Sequence, residues 1–438
     1  MAAQIPPSTR NAALDNLRVV AMFLGLVTHG VLPYTASGLV GFPVRDQTRH
    51  LAADVCYFAV HDFRMQLFFV LAGFGASALA ARRGSRELVR NRLARVALPL
   101  ALAVLVLCPA LHLVFAHHAG ARGAKWDAAD VGGWIGPNFH LWFLYYLLMC
   151  CVPLLVLSAL SARIPVRSVR AFDALTQRVL HSRWKIPCAA ALTVPLLWDM
   201  TTWWIDTPKG WAPEVAVLAY YLGFFLVGAT LYRQRDALAG VGRRWALRLA
   251  VANLVVLPAM LKLTVSGNWV EDAVRGAPPA WLAVWKAAAI FLGGLYTWLM
   301  IGGLIGLFQK HFSSAGPRWK YLSGASYWCY LAGFPVQAAF QVLFAPTTIP
   351  MITEFLLVNV LTFAVLLTSY ELCVRHTWIG LVLNGKRPER NAEVRGEPVV
   401  IATRVRVPEV PMCRETISRP TPQRMDRRYV LSVTADGV

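Results

Sequence analysis

A chain of 438 residues that is 57% hydrophobic but only 15% charged, with a mean hydropathy of +0.50, lies outside the range of soluble globular proteins. Its net charge of +20 would suit a nucleic-acid partner, but the basic residues sit in short segments between long apolar runs, so no nucleic acid is expected. The composition predicts an all-α, polytopic integral membrane protein whose first partner is the lipid bilayer.

About ten apolar runs follow one another, near 15–35, 57–81, 94–116, 139–160, 187–205, 214–232, 245–265, 281–308, 321–345 and 351–375. Each is about 18 residues or longer, enough to cross a hydrocarbon core of about 30 Å. The first, "LDNLRVVAMFLGLVTHGVLPY", lacks a basic leader and exceeds the apolar core of a signal peptide, so it is expected to remain as a helix. A helix turns roughly 100° per residue, so Arg18 and His29 fall about 20° apart in azimuth and about 16 Å apart along the axis. They share a face with Met22 and Gly25, and Gly25 leaves a groove between the two polar ends. Asp15 stands within pairing reach of Arg18.

An arginine near a helix start can extend to the headgroups, but His29 has no such escape. It is either bonded to a neighbouring helix carbonyl or a neutral imidazole able to take a proton from a hydroxyl. At the outer end of the second run, "HDFRMQLFFVLAGF" carries His61, Asp62 and Arg64; at the start of the fourth, "NFHLWFLYYLL" carries His140 and Trp142. Asp199, Trp203, Trp204, Asp206 and Trp211 follow at the end of the fifth. Aromatic planes beside imidazoles and carboxylates suit a carbohydrate, although tryptophans also form the ordinary belt at a membrane interface.

On the inner side, "RNRLARVALP" sets Arg92 and Arg95 three residues apart, either as topology anchors or as forked donors to phosphate. Ser326, Tyr327 and Tyr330 bring hydroxyls together in the ninth run, on the inner side, and Glu371 with Arg375 forms an expected structural i,i+4 pair in the tenth. Seven of the eight cysteines (Cys56, Cys108, Cys150, Cys151, Cys188, Cys329 and Cys373) lie in or beside the apolar runs without metal-ligand spacing, so they read as small hydrophobes and no metal is expected. With no nucleotide-binding or metalloprotease motif, any chemistry needs an activated small-molecule donor rather than a permanently bound cofactor.

Lysine and arginine concentrate in alternate loops, at 82–95, 163–185, 233–248 and 310–320. The positive-inside rule then puts both termini in the cytoplasm with an even number of crossings. Residues 10–383 form the predicted membrane domain. The stretch 384–438, rich in proline and dispersed arginine, reads as a disordered cytoplasmic tail.

The Arg-to-His spacing of the first run, "FRMQLFFVLAGF", Arg92-x-x-Arg95-x-x-x-Pro99, "HLWFLYYLL", "SYWCYLAGFP" and "TSYELCVRHTWIGLVLNGKRP" together resemble the acyltransferase-3 family of integral membrane O-acyltransferases. The resemblance covers roughly 10–390 and is closest to the periplasmic glucan succinyltransferase branch. It implies transfer of an acyl group, succinyl or acetyl, from cytoplasmic acyl-coenzyme A to a hydroxyl of a cell-envelope carbohydrate, in a multi-pass protein of the inner membrane. His29 would be the catalytic base, and Arg18 its essential partner beside the donor. Arg92, Arg95, Ser326, Tyr327 and Tyr330 would serve the donor; His61, Asp62, Arg64, His140 and Trp142 would serve the acceptor. Two positions depart from the family pattern: Ala72 replaces a common serine, and Gly333 a common histidine. An exporter of an acylated sugar and a glycan-binding pseudo-enzyme are the rival readings. The sequence does not specify the oligomeric state.

Overall fold

The computed structural model describes residues 11–123, 139–160, 163–200, 202–205, 207–208, 210–235, 238–274 and 279–385. Most of the predicted tail, and Asp206, fall outside them. All the regular elements among the described residues are helical, and seven helical segments are long and apolar enough to cross a membrane.

Helix α1 (Ala12–Gly30) starts on the Asn11 side chain, which accepts from the Leu14 amide at 3.3 Å. It ends where Pro33 can supply no amide hydrogen. Helix α2 (Leu51–Arg92) runs through a π-helical turn, Leu93–Ala97, into α3 (Leu98–Ala121). The arginine-rich segment expected to be a loop is therefore helical. Leucine, arginine and glutamate favour helix, and Glu87 pairs with Arg90 at 3.1 Å. The reversal falls on Gly84 alone, whose φ of 81° suits glycine and strains any other residue.

Helix α4 (Trp142–Leu160) precedes α5 (Val166–His181), a short amphipathic helix that exposes Val166, Phe172, Leu175 and Val179 beside arginines, as a helix lying at a headgroup boundary does. The fifth predicted run is not one long helix. It breaks into α6 (Lys185–Ala191) and α7 (Thr193–Leu196) at Leu192, where Pro195 has no amide hydrogen for the Ala191 carbonyl; Pro187 lies in the first turn of α6, where that loss is tolerated. After α8 (Val215–Arg233) and α9 (Leu238–Val241), α10 (Trp245–Val251) continues through a second π turn into α11 (Leu257–Ala273). Helices α12 (Ala280–His311), α13 (Pro317–Phe344), α14 (Met351–Ser369) and α15 (Trp378–Asn384) complete the bundle. Helix α13, with 28 residues, is long enough to span but carries buried Ser326, Gln337 and Gln341.

Two arrangements position the site. Helix α1 sits inside the bundle, touching α2, α12, α13 and α14, so both ends of its polar stripe face other helices. Helix α2 crosses α8 with backbones in near contact. A side chain at Gly73 would strike the Phe225 carbonyl, and one at Gly228 the Val70 carbonyl, the close approach that small residues allow between membrane helices. Gly333 has a similar use: a Cβ there would lie 2.6 Å from Leu26 of α1. Position 333, where the sequence reading expected a departure, therefore falls at a contact between α13 and α1.

Candidate active site

Two cavities lie end to end along the Arg18–His29 face of α1. One, of about 770 Å³, is lined by His29, His61, Arg64, His140, Trp142, Trp211, Tyr330 and Phe334. The other, of about 840 Å³, is lined by Arg18, Arg92, Arg95, Lys320, Ser326, Tyr327 and Arg375. Met22, Phe68 and Phe143 border both, forming the neck between them. The stripe expected from helical spacing is thus present, with Arg18 at one cavity, Met22 at the neck, and Gly25 and His29 in the other.

Three prolines build the site by what they withhold. A proline cannot donate to the carbonyl four residues earlier, and a buried carbonyl left without a donor is costly. Pro33 releases His29 C=O, which accepts from Gln341 Nε2 at 2.9 Å. Pro99 releases Arg95 C=O, which accepts from the Tyr327 hydroxyl at 2.8 Å. Pro335 releases Leu331 C=O, which accepts from His140 Nε2 at 2.9 Å. A carbonyl only accepts, so neutral His140 carries its hydrogen on Nε2 and leaves Nδ1 as a bare acceptor. Nδ1 is buried with no hydrogen-bond partner among the described residues. The Tyr330 hydroxyl donates to the His140 carbonyl at 2.7 Å, fixing the residue from its backbone side as well.

His29 is partly exposed to its cavity, with its ring centroid 4.7 Å from that of Phe334. His61 stacks on Tyr57 at 4.8 Å. Asp62 departs from the expectation. One residue further round α2, it lines a separate small cleft with Gln66, Trp203 and Tyr220, and its two carboxylate oxygens have no hydrogen-bond partner among the described residues. Arg64 also differs. It is 8% exposed and lies beside Gly25, where an added Cβ would strike Nη1, so the groove expected at Gly25 is a guanidinium seat. Trp142 packs on Tyr221 at 5.1 Å, and Trp211 lines the cavity. Trp203, by contrast, donates to Glu271 at 2.5 Å, away from His29.

At the basic end, Arg18 lies 3.9 Å from Asp15 and donates to Ser323 at 3.4 Å. Arg95 lies against Gly385, whose φ of 70° follows the end of α15. The expected hydroxyl trio divides: Ser326 and Tyr327 line the basic cavity, whereas Tyr330 lines the histidine cavity because it is one turn further along α13. Ser326 donates to the Ser323 carbonyl at 3.0 Å, so its hydroxyl is engaged within α13. Arg375 donates to Glu371 at 2.7 Å, as expected, and its guanidinium also lies over Tyr321 at 5.4 Å in the wall of the basic cavity. That second role, and the role of Lys320, escaped the sequence reading. Their signal was a cluster of cations on three helix ends with few acids between them.

The family model described as an acyltransferase domain, acyltransferase-3, matches residues 11–371. Relatives named glucans biosynthesis protein C from Salmonella heidelberg strain SL476 and Salmonella agona strain SL483 are each 22% identical to this chain, over 410 and 393 residues, with alignments covering 87% of this chain and 96% of theirs. No solved structure matches it. The polytopic helical bundle and the family match over nearly its whole length agree, and the chain belongs to the acyltransferase-3 family of membrane acyltransferases.

Proposed function

We propose that the protein transfers an acyl group from acyl-coenzyme A to a hydroxyl of a cell-envelope carbohydrate, across the inner membrane. One observation carries this reading: a cavity rich in arginine and lysine meets a cavity rich in histidine and aromatic rings at a neck beside α1. The names of the relatives add the carbohydrate. The charge alternation of the loops supports a ten-crossing topology with both termini, and the basic cavity, on the cytoplasmic side.

Arg92 and Arg95, with Lys320 and Arg375 nearby, hold the phosphates of coenzyme A. Arg18, oriented by Asp15 and Ser323, guides the pantetheine arm toward Met22. In the outer cavity, Trp142 and Trp211 face the sugar, while His61 and the bare Nδ1 of His140 accept from its hydroxyls. His29 takes the proton of the reacting hydroxyl as the oxygen attacks the thioester carbon. The carbon–sulfur bond breaks, and the departing thiolate takes the proton from the imidazolium. The products are an O-acyl sugar and free coenzyme A. Both substrates held in one geometry, with a positioned base, account for most of the acceleration such a site needs.

The test is direct. Purified protein in nanodiscs, given acetyl- or succinyl-coenzyme A and glucan oligosaccharides, should release thiol and raise the oligosaccharide mass by one acyl group. Thiol-neutral, mass-neutral incubation across the donor and acceptor panel would refute the proposal.

A further inference from the structure

We propose that Arg64 is a catalytic residue of this transfer, its guanidinium receiving the negative charge that forms on the thioester carbonyl oxygen. The inference rests on the acyl-transfer reading and adds a group that this reading does not use.

Arg64 is a buried cation without a counter-ion among the described residues. It is 8% exposed, its Nε has no hydrogen-bond partner, and no ion pair reaches it among the described residues. No aspartate or glutamate among the described residues lines the cavity that it faces. A buried charge is normally matched by an opposite one, because an apolar wall does not replace the hydration that the ion gives up. A site that holds such a cation ready is complementary to an anion brought by the substrate.

Position along α1 identifies which anion. Met22 marks the neck, Gly25 the seat of Arg64 Nη1, and His29 the base. At about 1.5 Å of rise per residue, the seat lies about 4.5 Å beyond the neck and about 6 Å before His29. A thioester coming up through the neck enters acyl end first, so with its carbonyl at Arg64 the remainder of the acyl group lies further along, toward His29. A carboxylate at the far end of a dicarboxylic acyl chain would lie further on.

When the sugar oxygen bonds to the carbonyl carbon, the π electrons move to the carbonyl oxygen and the hydroxyl proton moves to His29. The oxyanion then faces Arg64. Its collapse re-forms the carbonyl, breaks the carbon–sulfur bond, and sends the proton to the leaving sulfur. The guanidinium is in place before the reaction, seated where Gly25 carries no Cβ, so little reorganisation accompanies charge development.

The variants are Arg64→Gln, Arg64→Lys and Gly25→Ala, with coenzyme A binding as the check on folding. Removal of one oxyanion donor typically costs about 10²–10³ in kcat, and Arg64→Gln should show that loss with acetyl- and succinyl-coenzyme A alike, at nearly unchanged KM for donor and acceptor. Arg64→Lys should recover part, and Gly25→Ala should lower kcat by pushing the guanidinium aside. A second measurement needs binding only. The ¹³C-carbonyl stretch of acetyl-coenzyme A bound to His29→Ala protein should lie below its solution value, and adding Arg64→Gln should restore it. Loss confined to succinyl-coenzyme A would make Arg64 a carboxylate anchor, and loss confined to acceptor KM a sugar contact; either result, or an unshifted carbonyl stretch, overturns the proposal. If the unaltered protein transfers no acyl group, the acyl-transfer reading fails, while the carbonyl stretch still decides the polarising role of Arg64.

Discussion

Replacing Arg92 and Arg95 together with glutamine tests the donor end of the site. Both line the basic cavity and both are partly exposed. A hydrogen bond to a charged group contributes about 1.5–3 kcal/mol, so loss of two could reach about 3–6 kcal/mol if both were sheltered. Solvent screening and the cations that remain in the same wall, Arg18, Lys320 and Arg375, reduce this to about half. At about 1.4 kcal/mol per factor of ten, donor KM should rise about 10- to 100-fold, with kcat at saturating donor and KM for the acceptor little changed. Arg→Lys at both positions should restore only part, since a point charge lacks the planar fork. The assays are calorimetric titration of coenzyme A and transfer kinetics with each substrate varied in turn. Added salt should weaken wild-type binding more than that of the double variant. Unchanged coenzyme A affinity would return both arginines to the role of topology anchors.

His29→Ala should leave coenzyme A binding and the melting profile intact while lowering turnover by about 10²–10⁴, the usual contribution of a positioned general base; near-normal turnover would remove His29 from the mechanism. Arg18→Lys should keep insertion and topology, because both residues obey the positive-inside rule, yet lose most transfer through the Asp15 and Ser323 contacts that lysine reproduces poorly. A fully active lysine variant would reduce Arg18 to a headgroup anchor. Met22→Trp, which fills the neck, should preserve coenzyme A binding but abolish transfer; measured transfer at the wild-type rate would show that the acyl group takes another route.

Local periodicity made much of the site legible. Arg18, Met22, Gly25 and His29 belong to one helix, and a helix's azimuth depends only on residue spacing, so their common face followed from counting. The same holds for the Asp15–Arg18 and Glu371–Arg375 pairs, three and four residues apart. What counting could not reach was the direction each helix turns toward its neighbours. His61 and Asp62 are adjacent in sequence, yet only His61 faces the histidine cavity, because adjacent helical residues diverge by about 100° and packing against α8 and α12 decides which points inward. Tyr330 changed cavity for a different reason: it stands one turn beyond Ser326 on nearly the same face of α13, so rise along the axis carries it past the neck.

The amino-acid sequence by itself determined that the chain is a bundle of apolar helices with arginine at one level and histidine at another. Hydropathy and charge act residue by residue on a bilayer, without need of tertiary contacts. Only the tertiary structure decided that Arg64 of α2 occupies the space opened by Gly25 of α1. It likewise decided that the carbonyls released by Pro33, Pro99 and Pro335 are taken up by Gln341, Tyr327 and His140. These partners lie tens to hundreds of residues apart. Within a bilayer a released carbonyl must find a donor, but which distant side chain supplies it depends on how the helices pack.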